Sequence, residues 1–600
     1  MPRAQLATPL ESVANTSAPD ERLSSGRIAA RALADRSDAA VRLSLARSFC
    51  EHVVAEWWRC LATTGHVAVP LREQFQAFKP VRLPETARTL ARTLGKAAAE
   101  RGAETAAYHI GLIYTGMLPA EHRSEFGVYY TPPALTARLI EKATDAGVDW
   151  TRCRVLDPAC GGGAFLAPVA QRILTELPRC SPRILIENIS NRLQGYEIDP
   201  FAAWLSQVAL DAVLLPVTRK TGRRLPVLVT VCNSLAQDPP SDRFDLVIGN
   251  PPYGRVRLAP ADRSRYKRSL FGHANLYGLF TDMALHHTKD DGVIAYLTPT
   301  SFLAGEYFKN LRAVLRCEAP PVNIDFVSAR KGVFDDVLQE TLLATYKRGA
   351  SSATVTVSEI KPERADRIKI SNAGAFALPT DISQPWILPR NTPQVPIVKA
   401  LAVTEHRLRD WGYSVSTGPL VWNRHKGQLA ESSGRNRLPL IWAEAVTAEG
   451  KFIWRAEKRN HAPYFELRQG DDWLVTSDPC VLLQRTTAKE QSRRLIATAL
   501  PKSLLNEHGA VVIENHLNML RPITGRPKAP ADVLAAFLNS AVADRAFRCV
   551  SGSVAVSAYE LESLPMPNPD DLEDVARLVR KKSDRGIIDA VFERLYRNIL

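Results

Sequence analysis

No two cysteines of this chain stand at Cys-x-x-Cys spacing, and no histidines lie where a zinc site would need them. The nine cysteines (Cys50, Cys60, Cys153, Cys160, Cys180, Cys232, Cys317, Cys480 and Cys549) therefore read as reduced thiols of a cytoplasmic protein. No metal is expected. Cys160 has no base beside it in sequence, so it reads as a small packing residue and not a nucleophile. Long apolar runs are missing as well: none reaches the ~18 residues of a membrane span. Glu11, Asp20 and Glu21 replace the apolar segment of a signal peptide. A soluble, cytoplasmic protein without a membrane partner is the expectation. Fixed-period repeats are absent too.

Acidic residues are outnumbered, 63 against 77 basic ones, which gives a formal charge of +14. An anionic partner follows. No amphipathic basic helix stands out for a membrane surface, so nucleic acid fits better. Six hundred residues, 45% of them apolar, exceed what one core organises, and two or more domains are expected.

What is present begins with Asn250-Pro251-Pro252-Tyr253, directly after the apolar strand-like run Phe244 to Gly249. Open α/β sheets place ligands at the carboxyl ends of their strands. The tetrapeptide supplies a side-chain amide, a proline-stiffened backbone and an aromatic face. Two acceptors, the Asn250 side-chain oxygen and the Pro251 carbonyl, suit the two N–H bonds of an exocyclic amine. Held there, the nitrogen becomes pyramidal and its lone pair is released for alkylation. Pro251 and Pro252 fix φ and offer no competing N–H. Read without its surroundings, the tetrapeptide is equally a Pro-Pro turn after a buried strand.

Upstream, Arg154-Val155-Leu156-Asp157-Pro158-Ala159-Cys160-Gly161-Gly162-Gly163 is a short strand running into a glycine-rich turn and then a helix. Glycines allow close backbone approach to a ligand. A second strand ends in Glu197-Ile198-Asp199, with Glu197 34 residues beyond Gly163. Dinucleotide sites use a spacing of ~20, so a nicotinamide cofactor is disfavoured. Asp157, Ala159, Gly161, Gly163, Glu197 and Ile198 suit S-adenosyl-L-methionine, which needs acids for ribose and ammonium groups but no phosphate cradle. Asn233 and Ser234 follow a third strand and are placed for the cofactor's adenine edge. Tyr130 and Thr131 precede a helical run; Thr131 is expected as the N-cap, with Pro132 at the first helical position and the helix N-terminus facing a carboxylate. Asn250 belongs to this cofactor set too.

In this order (Tyr-Tyr-Thr-Pro-Pro, Asp-Pro-Ala-Cys-Gly-Gly-Gly, Tyr-Glu-Ile-Asp, Asn-Ser, Asn-Pro-Pro-Tyr) the chain resembles the gamma-class amino-methyltransferases. These are the adenine-N6 DNA methyltransferases of restriction-modification systems similar to the Taq enzyme. The likeness continues through Asn275 to Phe280, Gly292 to Pro299 and Leu338 to Lys347, covering about residues 110 to 350. It implies methyl transfer to N6 of a flipped-out adenine in double-stranded DNA. Asn250 and Pro251 become the amine-holding pair, and Tyr253 stacks on one face of the base. Tyr346 is the match for the family's second aromatic. Asn233 departs from the Asp that many relatives carry.

The expected fold is α/β: a Rossmann-like, seven-stranded methyltransferase domain over residues 120–350. It follows a flexible tail (1–25) and a helical region (26–119) in which Trp57 and Trp58 are core anchors. A connector (351–410) leads to a mixed α+β target-recognition domain (411–600). Arg255, Arg257, Arg263, Arg265, Lys267 and Arg268 adjoin the catalytic loop with one acid, Asp262, among them, and are expected at phosphates. Gln484, Arg485, Arg493 and Arg494 are candidate base or phosphate contacts, and His425 and His516 read as structural. Other acceptors fit the same chemistry: cytosine N4, RNA, or protein glutamine as in release-factor methyltransferases. A catalytically silent DNA-binding protein would not need Asn250, Asp157 and Glu197 together. No nuclease constellation is found in the N-terminal helices, so a restriction endonuclease, if present, is expected as a separate protein.

Overall fold

The computed structural model describes residues 18–62, 69–126, 131–328, 340–351, 354–364, 366–382, 384–486, 493–552 and 555–597. They form two compact units, the first ending at Ala377 and the second comprising Thr300–Lys309 and Leu378–Leu600.

The first unit opens with helices Pro19–Asp35, Ala39–Ala62, Glu85–Ala99, Ala103–Met117 and Ala120–Phe126. The first starts inside the segment expected to be a tail: Pro19 opens it, Asp20 and Glu21 suit its N-terminal turn, and Leu23, Gly26, Ala30 and Ala34 are buried one helical face apart. Trp57 and Trp58 are 2% and 3% exposed, within the core of this helical layer.

The strands that follow are β1 (Val155–Asp157), β2 (Leu193–Glu197), β3 (Val229–Val231), β4 (Phe244–Gly249), the short β5 (Arg255–Val256) and β6 (Ala274–Asn275), β7 (Thr288–Pro299), β8 (Pro321–Val327), β9 (Thr341–Lys347), β10 (Thr354–Arg364) and β11 (Arg367–Ala377). One sheet runs β3-β2-β1-β4-β7-β9-β8-β10-β11. Among the described residues it has nine strands where seven were expected. The added pair comes from the supposed connector: β10 lies parallel to β8 and turns back antiparallel as β11. Val355, Val357 and Ile360 are fully buried, which is why this segment joins the sheet and does not link domains.

β1, β2, β3, β4 and β7 are parallel, and the chain order reverses between β1 and β4. That reversal opens a crevice at the carboxyl ends. The helix Pro200–Val213 is buried along nearly its whole length because it serves two cores. Ala203, Ala209 and Leu210 pack toward the sheet, while Phe201, Trp204, Leu205 and Val208 pack among the N-terminal helices. At its start Asp199 caps Phe201 N at 3.0 Å, accepts from the Tyr114 hydroxyl at 2.6 Å and pairs with Arg47 at 3.0 Å. Among the described residues no single helix is long and apolar enough to cross a membrane.

The second unit is mixed α+β. One sheet joins β12 (Tyr413–Thr417), β20 (Leu517–Pro522), β17 (Val481–Gln484) and β18 (Ala497–Ala499). The other joins β13 (Leu429–Ala430), β15 (Tyr464–Glu466), β14 (Arg437–Ile441), β19 (Val511–Ile513) and β16 (Val475–Thr476). Helices from Ala531 to Arg597 complete it.

Candidate active site

β1 delivers Asp157 to the crevice fully buried. Its Oδ1 accepts from Ala159 N at 3.1 Å, while Oδ2 is buried with no hydrogen-bond partner among the described residues. Burial holds this carboxyl well above the usual carboxylate range. A buried acceptor without a partner is costly, and a ligand cation would remove that cost. In the turn beyond, Gly161 and Gly163 adopt φ of +51° and +89°. A Cβ on Gly161 would meet open space, whereas one on Gly163 would stand 3.1 Å from the Ser206 backbone. Gly161 thus leaves room for a ligand, and Gly163 lets the turn lie against the helix Pro200–Val213.

Glu197 ends β2 with its carboxylate gathering backbone donors: Gly161 N at 2.8 Å, and Ile198 N and Asp199 N at 2.9 Å each. Burial pushes its pKa up to about 7, against the pull of those N–H groups. Next to it Ile198 is 48% exposed, an apolar surface at the rim. Asn233 Oδ1 is occupied as a cap on Leu235 N at 3.1 Å, which leaves the Nδ2 end for a ligand. Ser234 differs from expectation. It is 5% exposed, and its hydroxyl donates to Pro158 O at 2.6 Å, so it ties the β3 loop to the β1 loop.

β4 brings in the other half. A Cβ on Gly249 would lie 2.7 Å from Asp157 Oδ1, so glycine allows the ends of β1 and β4 to meet. Asn250 follows at once. Its Nδ2 donates to Thr131 Oγ1 at 3.2 Å, and its Oδ1 accepts from the Tyr253 hydroxyl at 2.7 Å. Pro251 is buried, and the Tyr253 ring stands edge-on to Tyr277, centroids 6.1 Å apart. Leu276 N, bonded to Gly254 O at 2.9 Å, anchors the far end of the loop. Thr131 is not the N-cap. Pro132 takes that place without a side-chain cap, and Pro133 opens the helix Pro133–Asp145, because the second ring-locked φ is the one that continues into helix. Thr131, 2% exposed, is left with its hydroxyl on Asn250. Tyr130 lies outside the described residues.

Tyr346 does not join this group. β9 runs antiparallel to β7, and its register sets Tyr346 opposite Ile294 but Thr341 opposite Pro299. In the neighbouring strand Ile294 pairs with Val247, three residues before Asn250. Tyr346 is therefore displaced away from the Asn250–Tyr253 loop along the sheet, and it is 2% exposed. The end of β9 that adjoins the loop is Thr341, and the nearest preceding aromatic in sequence, Phe334, lies outside the described residues.

The basic segment divides. Arg255, Arg257, Arg263, Arg265 and Lys267 are exposed. Arg263 donates to Gly272 O at 2.8 Å, and Arg265 bonds Gln237 O and Asp238 at 2.7 Å. Arg268 is spent inward, on fully buried Asp282 at 2.6 Å and on Glu318 at 2.7 Å. In the second unit Gln484 bonds Val446 O at 2.6 Å, Arg485 bonds Asn515 O at 3.2 Å, and Arg493 bonds Asn539 O at 3.1 Å. Arg494 is 7% exposed. Gln484, Arg485 and Arg493 are thus each tied by one side-chain bond to the backbone of the second unit. His425 meets Gln428 at 2.9 Å, and His516 meets Glu514 at 2.7 Å.

The family model of the Eco57I restriction-modification methylase matches residues 232–334, the stretch that contains Asn250 to Tyr253. The type II methyltransferase M.BsuBI of Bacillus subtilis is 25% identical over 465 residues, which cover 76% of this chain and 91% of that protein. The chain is thus similar in sequence to type II methyltransferases. M.PstI of Providencia stuartii is 29% identical over 357 residues, covering 56% of this chain and 68% of the relative. The solved type IIL restriction-modification enzyme MmeI, in complex with DNA, shares the fold with a TM-score of 0.53 at 13% identity. That likeness covers 97% of this chain and 94% of MmeI.

Sequence reasoning missed the Thr131–Asn250 and Ser234–Pro158 contacts, since each joins residues from separate loops. Tyr277 was legible only as part of the Asn-Leu-Tyr-Gly motif; the structure gives it a role as the edge against which Tyr253 rests.

Proposed function

We propose that the protein is the DNA methyltransferase of a restriction-modification system, transferring a methyl group from S-adenosyl-L-methionine to N6 of a flipped-out adenine in double-stranded DNA. The observation that carries the reading is the meeting of Asp157 and Asn250 at the adjacent carboxyl ends of β1 and β4. One supplies an unsatisfied buried carboxylate for a cationic cofactor, the other an amide for an amine, within one crevice.

The residues suit the cofactor. Asp157 would take its ammonium group, Glu197 its ribose hydroxyls, Ile198 one face of its adenine and Asn233 Nδ2 a ring nitrogen. When bound, S-adenosyl-L-methionine supplies a sulfonium-activated methyl group. The chain's own part is to make the acceptor nitrogen nucleophilic. Asn250 Oδ1 and Pro251 O accept its two N–H bonds, an arrangement worth more as the nitrogen becomes tetrahedral than in the planar ground state. The surplus proton of the product leaves to solvent. The Tyr253 hydroxyl sits on Asn250 Oδ1, so an entering amine takes its place while the ring turns to stack on the base. Residues 411–600, within the second unit, are read as the target-recognition part, and cleavage as the task of a separately encoded endonuclease. A basic chain of +14 acting on cytoplasmic DNA agrees with that reading.

Single-molecule sequencing of DNA from cells expressing the protein, and from cells expressing Asn250→Ala, tests it. A modified-adenine motif is expected with the first. With the second, transfer should fall by about 10²–10³-fold, as for removal of one preorganised transition-state partner. Modified cytosine would move the acceptor to N4. Unmodified DNA with both would move the substrate to RNA or protein.

A further inference from the structure

Ile198 and Asp199 link the end of β2, at Glu197, to the helix Pro200–Val213. Asp199 N donates to Glu197 Oε1 at 2.9 Å, so the backbone of one residue holds the carboxylate of the other. What holds Asp199 comes largely from elsewhere. Its own carboxylate, 2% exposed, accepts from Phe201 N at 3.0 Å, from the Tyr114 hydroxyl at 2.6 Å and from Arg47 at 3.0 Å. Phe201 belongs to the helix that Asp199 caps, but Tyr114 and Arg47 stand on the N-terminal helices Ala103–Met117 and Ala39–Ala62.

The two N-terminal donors are not alike. Tyr114 is fully buried, and burial beside Asp199 holds its hydroxyl well above the usual range, so it donates as a neutral group. Arg47 brings charge: among the described residues it is the one cation paired with Asp199, and its side chain is 20% exposed. Without it a buried carboxylate would stand uncompensated two residues from Glu197. The titratable groups around Glu197 are Asp157 on β1, Cys160 in the glycine turn, Cys232 after β3, and Asp199. Each of them is negative when ionised, and a negative neighbour disfavours an ionised Glu197. Arg47 offsets the share that comes from Asp199.

Resting on the cofactor reading given above, we propose that Arg47 is a positioning residue for the cofactor: from the N-terminal helices it holds and neutralises Asp199, and so keeps the Glu197 carboxylate ready for the ribose hydroxyls. The helical layer is thereby a working part of the cofactor site.

Calorimetry with S-adenosylhomocysteine, run on both sides of neutral pH, compares the full chain with Arg47→Met, Arg47→Lys and Tyr114→Phe. Single-turnover transfer to cognate DNA at saturating cofactor is measured beside it. Arg47→Met should weaken S-adenosylhomocysteine about 10-fold at neutral pH, with the rate at saturating cofactor within about threefold of wild type. The pH midpoint of the affinity should move upward in Arg47→Met. It should stay in place in Arg47→Lys, which keeps the charge, and in Tyr114→Phe, which removes a donor but no charge. On an Asp199→Asn background Arg47→Met should cost nothing further, because the charge it offsets is gone. Four results overturn the proposal: an unchanged affinity in Arg47→Met; a weaker affinity with an unmoved midpoint; an equal shift in Tyr114→Phe; or an equal loss on both backgrounds. A wild type that binds no S-adenosylhomocysteine would instead defeat the cofactor reading itself, which separates the two failures. Where thermal melting shows that Arg47→Met does not fold, Arg47→Gln, which keeps a donor for the carboxylate but no charge, carries the same comparison.

Discussion

At the residue scale the site is set by two carboxyl groups with different surroundings. Asp157 has one oxygen satisfied and one not, whereas Glu197 has three N–H donors and still titrates near 7. For Glu197 the folded pKa is raised above the ordinary 4.5, so between those values the folded chain keeps a proton that the unfolded chain releases. Its contribution to stability is therefore best at low pH and declines as pH rises toward 7. On the proposed reading cofactor binding runs the other way, since the ionised carboxylate is the better acceptor for ribose hydroxyls. S-adenosylhomocysteine affinity should weaken as pH falls through about 7, and Glu197→Gln should flatten that profile in calorimetry. A wild-type affinity that does not change one unit either side of that pH would count against the assignment. Tyr346→Phe, far along β9 from Asn250, should leave the transfer rate within about twofold, read by single-turnover kinetics.

At the element scale the crevice depends on how closely β1 and β4 approach. Gly249→Ala would drive a methyl group to 2.7 Å from Asp157 Oδ1, so that either strand or carboxylate must shift. A loss of about 1–3 kcal/mol in stability, seen as a lower Tm, together with weaker cofactor binding is expected. The strands and their glycine turn were legible because their signals are local: an apolar run, a breaker, and an acid or amide at the end. What was misplaced depended on partners distant in sequence. Tyr346 looked well placed at the end of a strand, but the direction in which β9 enters the sheet decides which end that is. Val355, Val357 and Ile360 alternate toward a core, but nothing local says that β8 will be their neighbour. Thr131 has the chemistry of an N-cap, and only the second proline moved the cap along by one residue.

At the scale of the whole molecule, charge and fold draw on the same residues, and the two uses can be told apart. Arg257 and Lys267 are exposed in the segment that follows Asn250–Tyr253, so on the proposed reading replacing either with Ala should weaken binding to all DNA alike and lower the salt dependence by about one counterion. Arg268→Ala should act differently: it strands Asp282, which is fully buried, and should lower the melting temperature by an amount corresponding to a few kcal/mol. Melting curves and salt titrations of the three variants check both statements. The N-terminal helices belong to the same economy of contacts, for Asp199 stands two residues after Glu197 and is gripped by Arg47 and Tyr114. A shortened gene begun just ahead of β1 would therefore yield insoluble product, because it would strip the apolar flank of the helix behind the cofactor loop and strand an acid at its head.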